Sequence, residues 1–117
     1  MSVSEPMIQS VLLGEALEHA PVAILVADEE MRLVAANEFA CELLGYSRSE
    51  LVALGVPDLA SDEDAPREFA EVQAHGRLDE TMRLTRKDGV ALTLRYRASE
   101  TTIGGLVYYV SISWLEP

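Results

Sequence analysis

The sequence is poor in the residues from which disulfides, metal sites and membrane spans are built. Its 117 residues include one cysteine, Cys41, and two histidines, His19 and His75. A single cysteine excludes an internal disulfide and a thiolate-rich metal site, and we predict neither metal-ligating nor catalytic residues. No apolar run reaches the roughly 20 residues of a membrane span, and Met1–Ser10 lacks the features of a signal peptide. We therefore predict a cytoplasmic, non-membrane protein, either complete or a piece of a longer chain.

Positive charge is also scarce. Nine lysines and arginines stand against 20 aspartates and glutamates, which gives a net charge of -11. Up to Glu71 the chain has 15 acidic and 3 basic residues, and from Gln73 onward it has 5 acidic and 6 basic residues. Because a surface this acidic repels a phosphate backbone, we expect no nucleic-acid partner.

The N-terminal segment predicts an amphipathic helix over Met7–Ala20, which Pro21 ends. We accordingly divide the chain into an N-terminal flanking helix, residues 1–20, and a core domain, residues 21–117. Two interpretations of the helix are open, because it could dock on its own sheet or also pair two subunits. The breadth of its apolar surface favours a homodimer, with an interface formed by Ile8, Val11, Leu12, Leu13 and Leu17.

The following segment predicts a hairpin that runs directly into a helix. Val22–Ala27 is short, apolar and rich in β-branched residues, as in a buried strand. Asp28–Glu30 is a polar break of hairpin length, and Arg32–Ala35 resumes as a second strand. Asn37 can then cap a helix, and Gly45 stands where a left-handed residue would end it.

Two further helices are indicated by their ends. Ser47 and Glu50 have the spacing of a capping box, in which each side chain bonds the backbone N–H of the other residue. Pro66 fits only the first turn of a helix, so the next helix should begin near Asp64. Gly76 should end that helix.

The last third of the chain predicts three strands. Thr81–Arg86 alternates between apolar and polar residues, and Lys87–Gly89 supplies a tight turn into the strand Val90–Ser99. Gly104-Gly105 makes the next turn. Leu106–Leu115 is apolar on both faces, as expected of a central strand. We expect Val107, Tyr109 and Leu115 to face away from the helices and to need cover in the proposed dimer.

This order of elements predicts an α+β fold with one five-stranded antiparallel sheet. The chain resembles the PAS domain family over Leu17–Trp114. Four motifs in order carry the resemblance: Asp28 after the first strand, Asn37 at the helix start, Leu44–Ser47 after that helix, and Arg86–Gly89 between later strands. The resemblance implies the strand order 2-1-5-4-3, with short helices on one face, the N-terminal helix beside them and a small cavity between helices and sheet.

The resemblance also implies a function, that of a noncatalytic sensory or regulatory module in signal transduction. Such a module would bind a small ligand or partner and form a homodimer, while its effector domain or signalling partner and its stimulus are left open. Two alternatives are a pure dimerisation or protein-interaction module with a filled core, and a small cone-fold isomerase with a Tyr–Asp oxyanion hole. If a ligand binds, we expect a small apolar one, held by Ile24, Val26, Leu33, Phe39, Leu43, Val72, Leu94 and Tyr108.

Cofactor signatures of the family are missing from the sequence. Flavin-binding relatives carry an Asn-Cys-Arg-Phe run near the middle helices, and haem-binding relatives carry an axial histidine within the long helix. Neither pattern occurs, so we expect no flavin and no haem. Cys41 fits a small apolar packing residue, and His75 fits a helix C-terminus. Met31 stands where the family often has glycine, which predicts a first hairpin turn of different construction.

Overall fold

The computed structural model describes residues 5–60 and 65–116 of the chain. The helices and strands follow one another as α1 (Glu5–Glu18), β1 (Ala23–Ala27), β2 (Leu33–Ala36), α2 (Glu38–Leu44), α3 (Arg48–Leu51), α4 (Val56–Leu59), α5 (Ala65–His75), β3 (Arg77–Thr85), β4 (Ala91–Ile103) and β5 (Leu106–Leu115). The acidic run Asp62–Asp64, where the last helix was predicted to begin, lies outside the described residues.

All the strands join one antiparallel sheet of order β2-β1-β5-β4-β3. This confirms the predicted α+β fold, its five-stranded sheet, the strand order and the presence of an N-terminal helix. β5 has the predicted bounds, but β3 begins at Arg77, four residues before Thr81. The early start follows from Gly76, whose φ of 78° ends α5 and turns the chain directly into the strand.

The predicted ends of α2 and the predicted start of α3 are confirmed, while α1 spans Glu5–Glu18 where Met7–Ala20 was predicted. Asn37 caps α2, with its side-chain oxygen accepting a hydrogen bond from the backbone N–H of Ala40, and Gly45 follows α2 with a φ of 79°. Ser47 and Glu50 form both hydrogen bonds of the capping box at α3. These sequence patterns predict helix ends because each one provides a hydrogen-bond partner for backbone N–H or C=O groups that have none within the helix.

The first hairpin turn keeps a glycine-like backbone, so the prediction of a different construction is wrong. Met31 has a φ of 65°, in the left-handed region that glycine favours. Its carbonyl oxygen accepts a hydrogen bond of 2.8 Å from the backbone N–H of Val56. A Cβ on Gly55 would lie 3.1 Å from that same oxygen, so Gly55 permits this close approach. The turn and α4 thus hold each other in place.

The core lies between the helices and the inner face of the sheet, which is the face that carries Leu25, Leu94 and Tyr109. Leu44, Leu51 and Leu59 reach it from the short helices and are nearly fully buried. The outer face of β3 and β4 is different, because it carries arginines. Strand alternation from the buried Leu84 and Leu94 places Arg77, Arg83, Arg95 and Arg97 there.

α1 is a helix, but it is not amphipathic. At about 3.6 residues per turn, Leu13 and Leu17 fall on a different side of the helix from Ile8 and Val11, so apolar side chains surround its axis. None of its residues is buried. The helix therefore does not lie against its own sheet. The division of the chain at residue 20 stays a prediction.

Candidate functional site

A cavity lies between α4, α5 and the inner face of the sheet. Its volume is about 90 Å³. Most of its lining is apolar and comes from seven elements: Leu25 and Ala27 of β1, Leu33 of β2, Val56 and Leu59 of α4, Phe69 and Val72 of α5, Leu78, Met82 and Leu84 of β3, Ala98 of β4, and Tyr109 of β5. Three polar residues complete it, namely Glu68, Tyr96 and Ser111.

The register of the sheet sets which residues reach this cavity. Leu25 of β1 pairs with Ser111 of β5, and Ser111 pairs in turn with Ala98 of β4. Since paired residues share a face, these side chains form a row across the floor of the cavity. Ala98 and Ser111 are small, which leaves space above the central strands.

An aromatic contact holds α5 over this floor. The rings of Phe69 and Tyr109 meet edge to face, with centroids 4.9 Å apart and planes inclined by 65°. Such pairs contribute about 0.5–1.5 kcal/mol beyond the area that they bury. Val72, one turn further along α5, is buried beside the cavity. α5 therefore forms the wall opposite the sheet.

The polar end of the cavity is built around a buried carboxylate. Glu68 of α5 is only 5% exposed, and Tyr96 of β4 is 6% exposed. Burial raises the pKa of the Tyr96 hydroxyl, and the negative charges of Glu68 and Glu80 raise it further. Tyr96 is therefore protonated throughout the neutral range, with a hydroxyl that can donate a hydrogen bond.

Arg67 lies close to several carboxylates at this end of the cavity. Its Nη1 lies 2.8 Å from Oε1 of Glu71, and its Nη2 lies 3.8 Å from Oε1 of Glu68 and 3.7 Å from Oε2 of Glu80. Glu80 pairs with Tyr96 across β3 and β4, so it faces the same side of the sheet. α5 and the sheet are thus joined by ion pairs at one end of the cavity and by apolar contacts along the rest of it.

Of the residues predicted to hold a ligand, Leu33 and Val72 line the cavity. Ile24 and Val26 lie on the opposite face of β1, because Leu25 and Ala27 are the residues that reach the cavity. Tyr108 lies on the outer face of β5 for the same reason. The remaining three pack in the core without lining the cavity: Leu94 on β4, and Phe39 and Leu43 on α2. The ligand-binding role of all eight stays a prediction.

Sequence reasoning missed Glu68. A glutamate near the start of a helix is usually exposed to solvent, and no sequence motif marks one that is buried. One positional signal was available, because Glu68 lies four residues before Val72, which was predicted to hold a ligand. On a helix that spacing places Glu68 and Val72 on one face.

The residues predicted for a dimer interface lie exposed on α1. Their exposed fractions are 52% for Ile8, 64% for Val11, 62% for Leu12, 64% for Leu13 and 52% for Leu17. The accompanying prediction for β5 is wrong, because Tyr109 is buried against α5. Val107 and Leu115 share its parity and hence its face. Val110, Ile112 and Trp114 occupy the outer face instead.

The C-terminal end of α1 is tied to α2 and α3. Nδ1 of His19 lies 2.8 Å from Oε2 of Glu38, and Nε2 lies 3.5 Å from Oε2 of Glu15. The hydrogen bond to Glu38 and the nearby carboxylates raise the pKa of His19 above its ordinary value. Arg48 pairs with Glu18. α1 is thus held at one end and exposed along its length.

Within residues 5–60 and 65–116, no group of three or more His, Cys, Asp and Glu side chains is placed to hold a metal ion. His75 is exposed at the end of α5, and Cys41 is half-buried against the core. Nor does any helix in the described part of the chain have the length and apolar content to cross a membrane. Ligand pockets usually measure about 300–1,000 Å³, so the cavity is small for a flavin or haem. The absence of a cofactor stays a prediction.

Comparisons with known proteins agree on one family. A family model described as "PAS domain" matches residues 11–80, well over half of the chain. A PAS domain from a two-component sensor histidine kinase aligns over 96% of this chain and 100% of its own, with a TM-score of 0.85 and 12% identity. The PAS domain of an HTR-like protein from Haloarcula marismortui aligns over 97% and 96%, with a TM-score of 0.84 and 20% identity.

A domain of a sensory box sensor histidine kinase/response regulator from Geobacter sulfurreducens aligns over 96% of this chain and 98% of its own, with a TM-score of 0.81 and 24% identity. No curated protein sequence matches the chain at a significant level. At these identities the structural matches establish the fold, and the match of the family model establishes the family. The chain therefore belongs to the PAS domain family, whose members are sensory and signalling modules, as in sensor kinases.

Proposed function

We propose that this PAS domain senses a small molecule held between α5 and the sheet, and that it passes the signal on through α1 as a homodimer. The single observation that carries the proposal is the cavity lined by Val72, Phe69 and the inner face of the central strands. A filled core would support only a docking or dimerisation module. The open volume favours sensing, and the match to the PAS family gives the isomerase alternative no support.

The size and lining of the cavity limit its ligand. Benzene is known to fill an engineered protein cavity of about 150 Å³, so a volume of about 90 Å³ suits a molecule of roughly four or five non-hydrogen atoms. The mostly apolar lining favours an apolar body, as the sequence predicted. Apolar burial of such a body contributes roughly 25 cal/mol per Å².

A route from the cavity to α1 runs through β1 and Asn37. Leu25 lines the cavity, and its neighbour Ile24 donates its backbone N–H to Oδ1 of Asn37 at 2.9 Å. Nδ2 of Asn37 donates to the carbonyl oxygen of Leu17, in the last turn of α1. A ligand that shifts β1 would therefore bias the position of α1 between two arrangements.

The dimer part of the proposal is supported by the exposure of α1. Apolar side chains occur on every side of this helix, and its large apolar residues are more than half exposed. Contact between the α1 helices of two copies would remove this surface from water, and a two-fold axis would use the same residues on both copies. The residues that we assign to that contact are Ile8, Val11, Leu12, Leu13 and Leu17.

Two measurements test the ligand part. Mass spectrometry of material released by denaturing the purified protein should detect a small molecule, and an absorption spectrum should show aromatic bands only. The variant Ala98→Leu fills the cavity floor and should release none. Its control, Ala91→Leu, adds the same carbons at an exposed position of the same strand and should release the wild-type amount. Equal release from both variants would place the ligand elsewhere.

A further inference from the structure

The polar end of the cavity is rich in negative charge. Glu68, Glu71 and Glu80 all lie within 3.8 Å of the guanidinium of Arg67, so at least three carboxylates meet at this end. The net charge of the protein, -11, has the same sign. A cation is therefore attracted to this end and an anion is repelled from it, most strongly where water is excluded.

Two members of this region face the cavity itself. Glu68 and Tyr96 both line it, and both are more than nine-tenths buried. An ionised carboxylate only accepts hydrogen bonds and has room for about four of them, while a tyrosine hydroxyl both accepts and donates. A ligand group with several N–H donors and a positive charge can donate to both side chains. An ammonium group has those properties.

The rest of the cavity suits a compact apolar body. Leu33, Val72 and Met82 line it, and no lysine or arginine is among the described residues that line it. An alkyl group of three or four carbons fills the space that remains once an ammonium group occupies the polar end, given the volume of about 90 Å³.

We propose that the cavity binds a small primary alkylamine, with its ammonium group against Glu68 and Tyr96 and its alkyl group against Val72 and Leu33. This inference rests on the proposed function, because it names the ligand class of the same cavity. It specifies that the ligand carries a positive charge and donates hydrogen bonds, which an apolar cavity alone does not specify.

Three probes of one shape separate charge from size. Isobutylamine, isobutanol and isobutyrate share the isobutyl skeleton and are cationic, neutral and anionic at pH 7. Each is titrated into the whole ¹⁵N-labelled chain, and the backbone amide signals of Val72 and Ser111 are followed. We expect isobutylamine to bind about tenfold more tightly than isobutanol, because hydrogen bonds that involve a charged group are stronger than those between neutral groups. Isobutyrate should give no saturable shift.

Variants assign the preference to Glu68. Glu68→Gln keeps the size of the side chain and removes its charge, so it should bring the amine and the alcohol within about threefold of each other. Tyr96→Phe should weaken amine binding by less than Glu68→Gln does. Glu42→Gln is the matched control, because it makes the same change of net charge at an exposed position of α2 outside the cavity lining. It should retain the wild-type preference.

The outcomes distinguish this inference from the proposed function. Saturable binding of isobutanol equal to or tighter than that of isobutylamine would overturn the amine class and leave small-molecule sensing in place. An unchanged preference in Glu68→Gln would overturn the assigned contact. If no probe shifts Val72 or Ser111 saturably in the wild-type chain, both the amine class and the sensing cavity are wrong. These wild-type results decide the matter even where a variant fails to fold.

Discussion

The side-chain amide of Asn37 donates a hydrogen bond of 2.8 Å to the carbonyl oxygen of Leu17 and so fastens α1 to the core. The same amide nitrogen donates to the carbonyl oxygen of Val22 at 2.9 Å. The side-chain oxygen of Asn37 accepts from the backbone N–H groups of Ile24 and Ala40 at 2.9 Å and 3.0 Å. One buried side chain thus joins α1, β1 and α2 through four hydrogen bonds, both of its donors and its acceptor being satisfied.

Replacing this amide by a carboxylate should cost substantial stability. Asn37→Asp keeps the helix cap but turns an oxygen toward the carbonyl groups of Leu17 and Val22, so two hydrogen bonds become repulsive contacts. We expect a loss of about 2–4 kcal/mol in the free energy of unfolding at pH 7, measured by urea denaturation. Ser47→Ala removes an exposed cap and should lose only about 1 kcal/mol. A smaller loss in Asn37→Asp than in Ser47→Ala would contradict the central role of Asn37.

The attachment of α1 to α2 should weaken as pH rises. The hydrogen bond to Glu38 and the nearby carboxylates raise the folded-state pKa of His19 above 6.5, so its stabilising contribution is complete below pH 6.5. That contribution is lost as pH rises through the raised pKa. The amide signal of Leu17 should report this transition, and His19→Gln should abolish it. His75→Gln should leave it unchanged, and a transition that survives in His19→Gln would refute the assignment.

The first hairpin turn should tolerate glycine at one position and not at its neighbour. Met31 has a φ of 65°, a conformation that costs a non-glycine residue about 1–2 kcal/mol. After the added flexibility of the unfolded chain is subtracted, Met31→Gly should raise the free energy of unfolding by up to about 1 kcal/mol. Glu30→Gly has no such strain to relieve and should lower stability. Thermal unfolding of both variants gives the comparison, and destabilisation by Met31→Gly would show that its side-chain contacts outweigh the strain.

Assembly should depend on α1. We expect the whole chain to be dimeric by light scattering, and Leu12→Asp to make it monomeric, because a carboxylate cannot be buried unpaired in an apolar interface. Val52→Asp changes an exposed valine of the segment after α3 in the same way and should leave the dimer intact. A monomeric wild-type chain at high concentration would refute the dimer. A dimer that persists in Leu12→Asp would move the interface to the outer face of the sheet.

The fold was predictable because its signals are local. Asn37, Gly45 and Gly76 each mark a helix end through one side chain or one backbone conformation, and strict alternation marks β4. α1 was less predictable, since a short apolar helix carries several weak periodicities at once. Its sequence therefore suggested a single apolar stripe, whereas in the structure apolar side chains lie on all sides of the helix axis.

The candidate site was only partly predictable, for physical reasons. β1 is apolar on both faces, so nothing in its sequence tells which parity faces the helices, and Ile24 and Val26 were chosen where Leu25 and Ala27 line the cavity. The buried carboxylate of Glu68 was missed because its burial depends on how α5 packs against β3 and β4. Such burial is fixed by tertiary packing, and the four-residue spacing from Glu68 to Val72 was only a weak local signal of it.

The most direct test of the account is whether occupancy of the cavity moves α1. Xenon is uncharged and enters small apolar cavities, so its effect does not depend on the class of the natural ligand. Under increasing xenon pressure, we predict saturable shifts of the amide signals of Val72 and Tyr109 beside the cavity. Leu17 and Asn37 should shift with the same midpoint. Absence of a saturable shift at Val72 and Tyr109, or a shift there with Leu17 and Asn37 unmoved, would contradict the account.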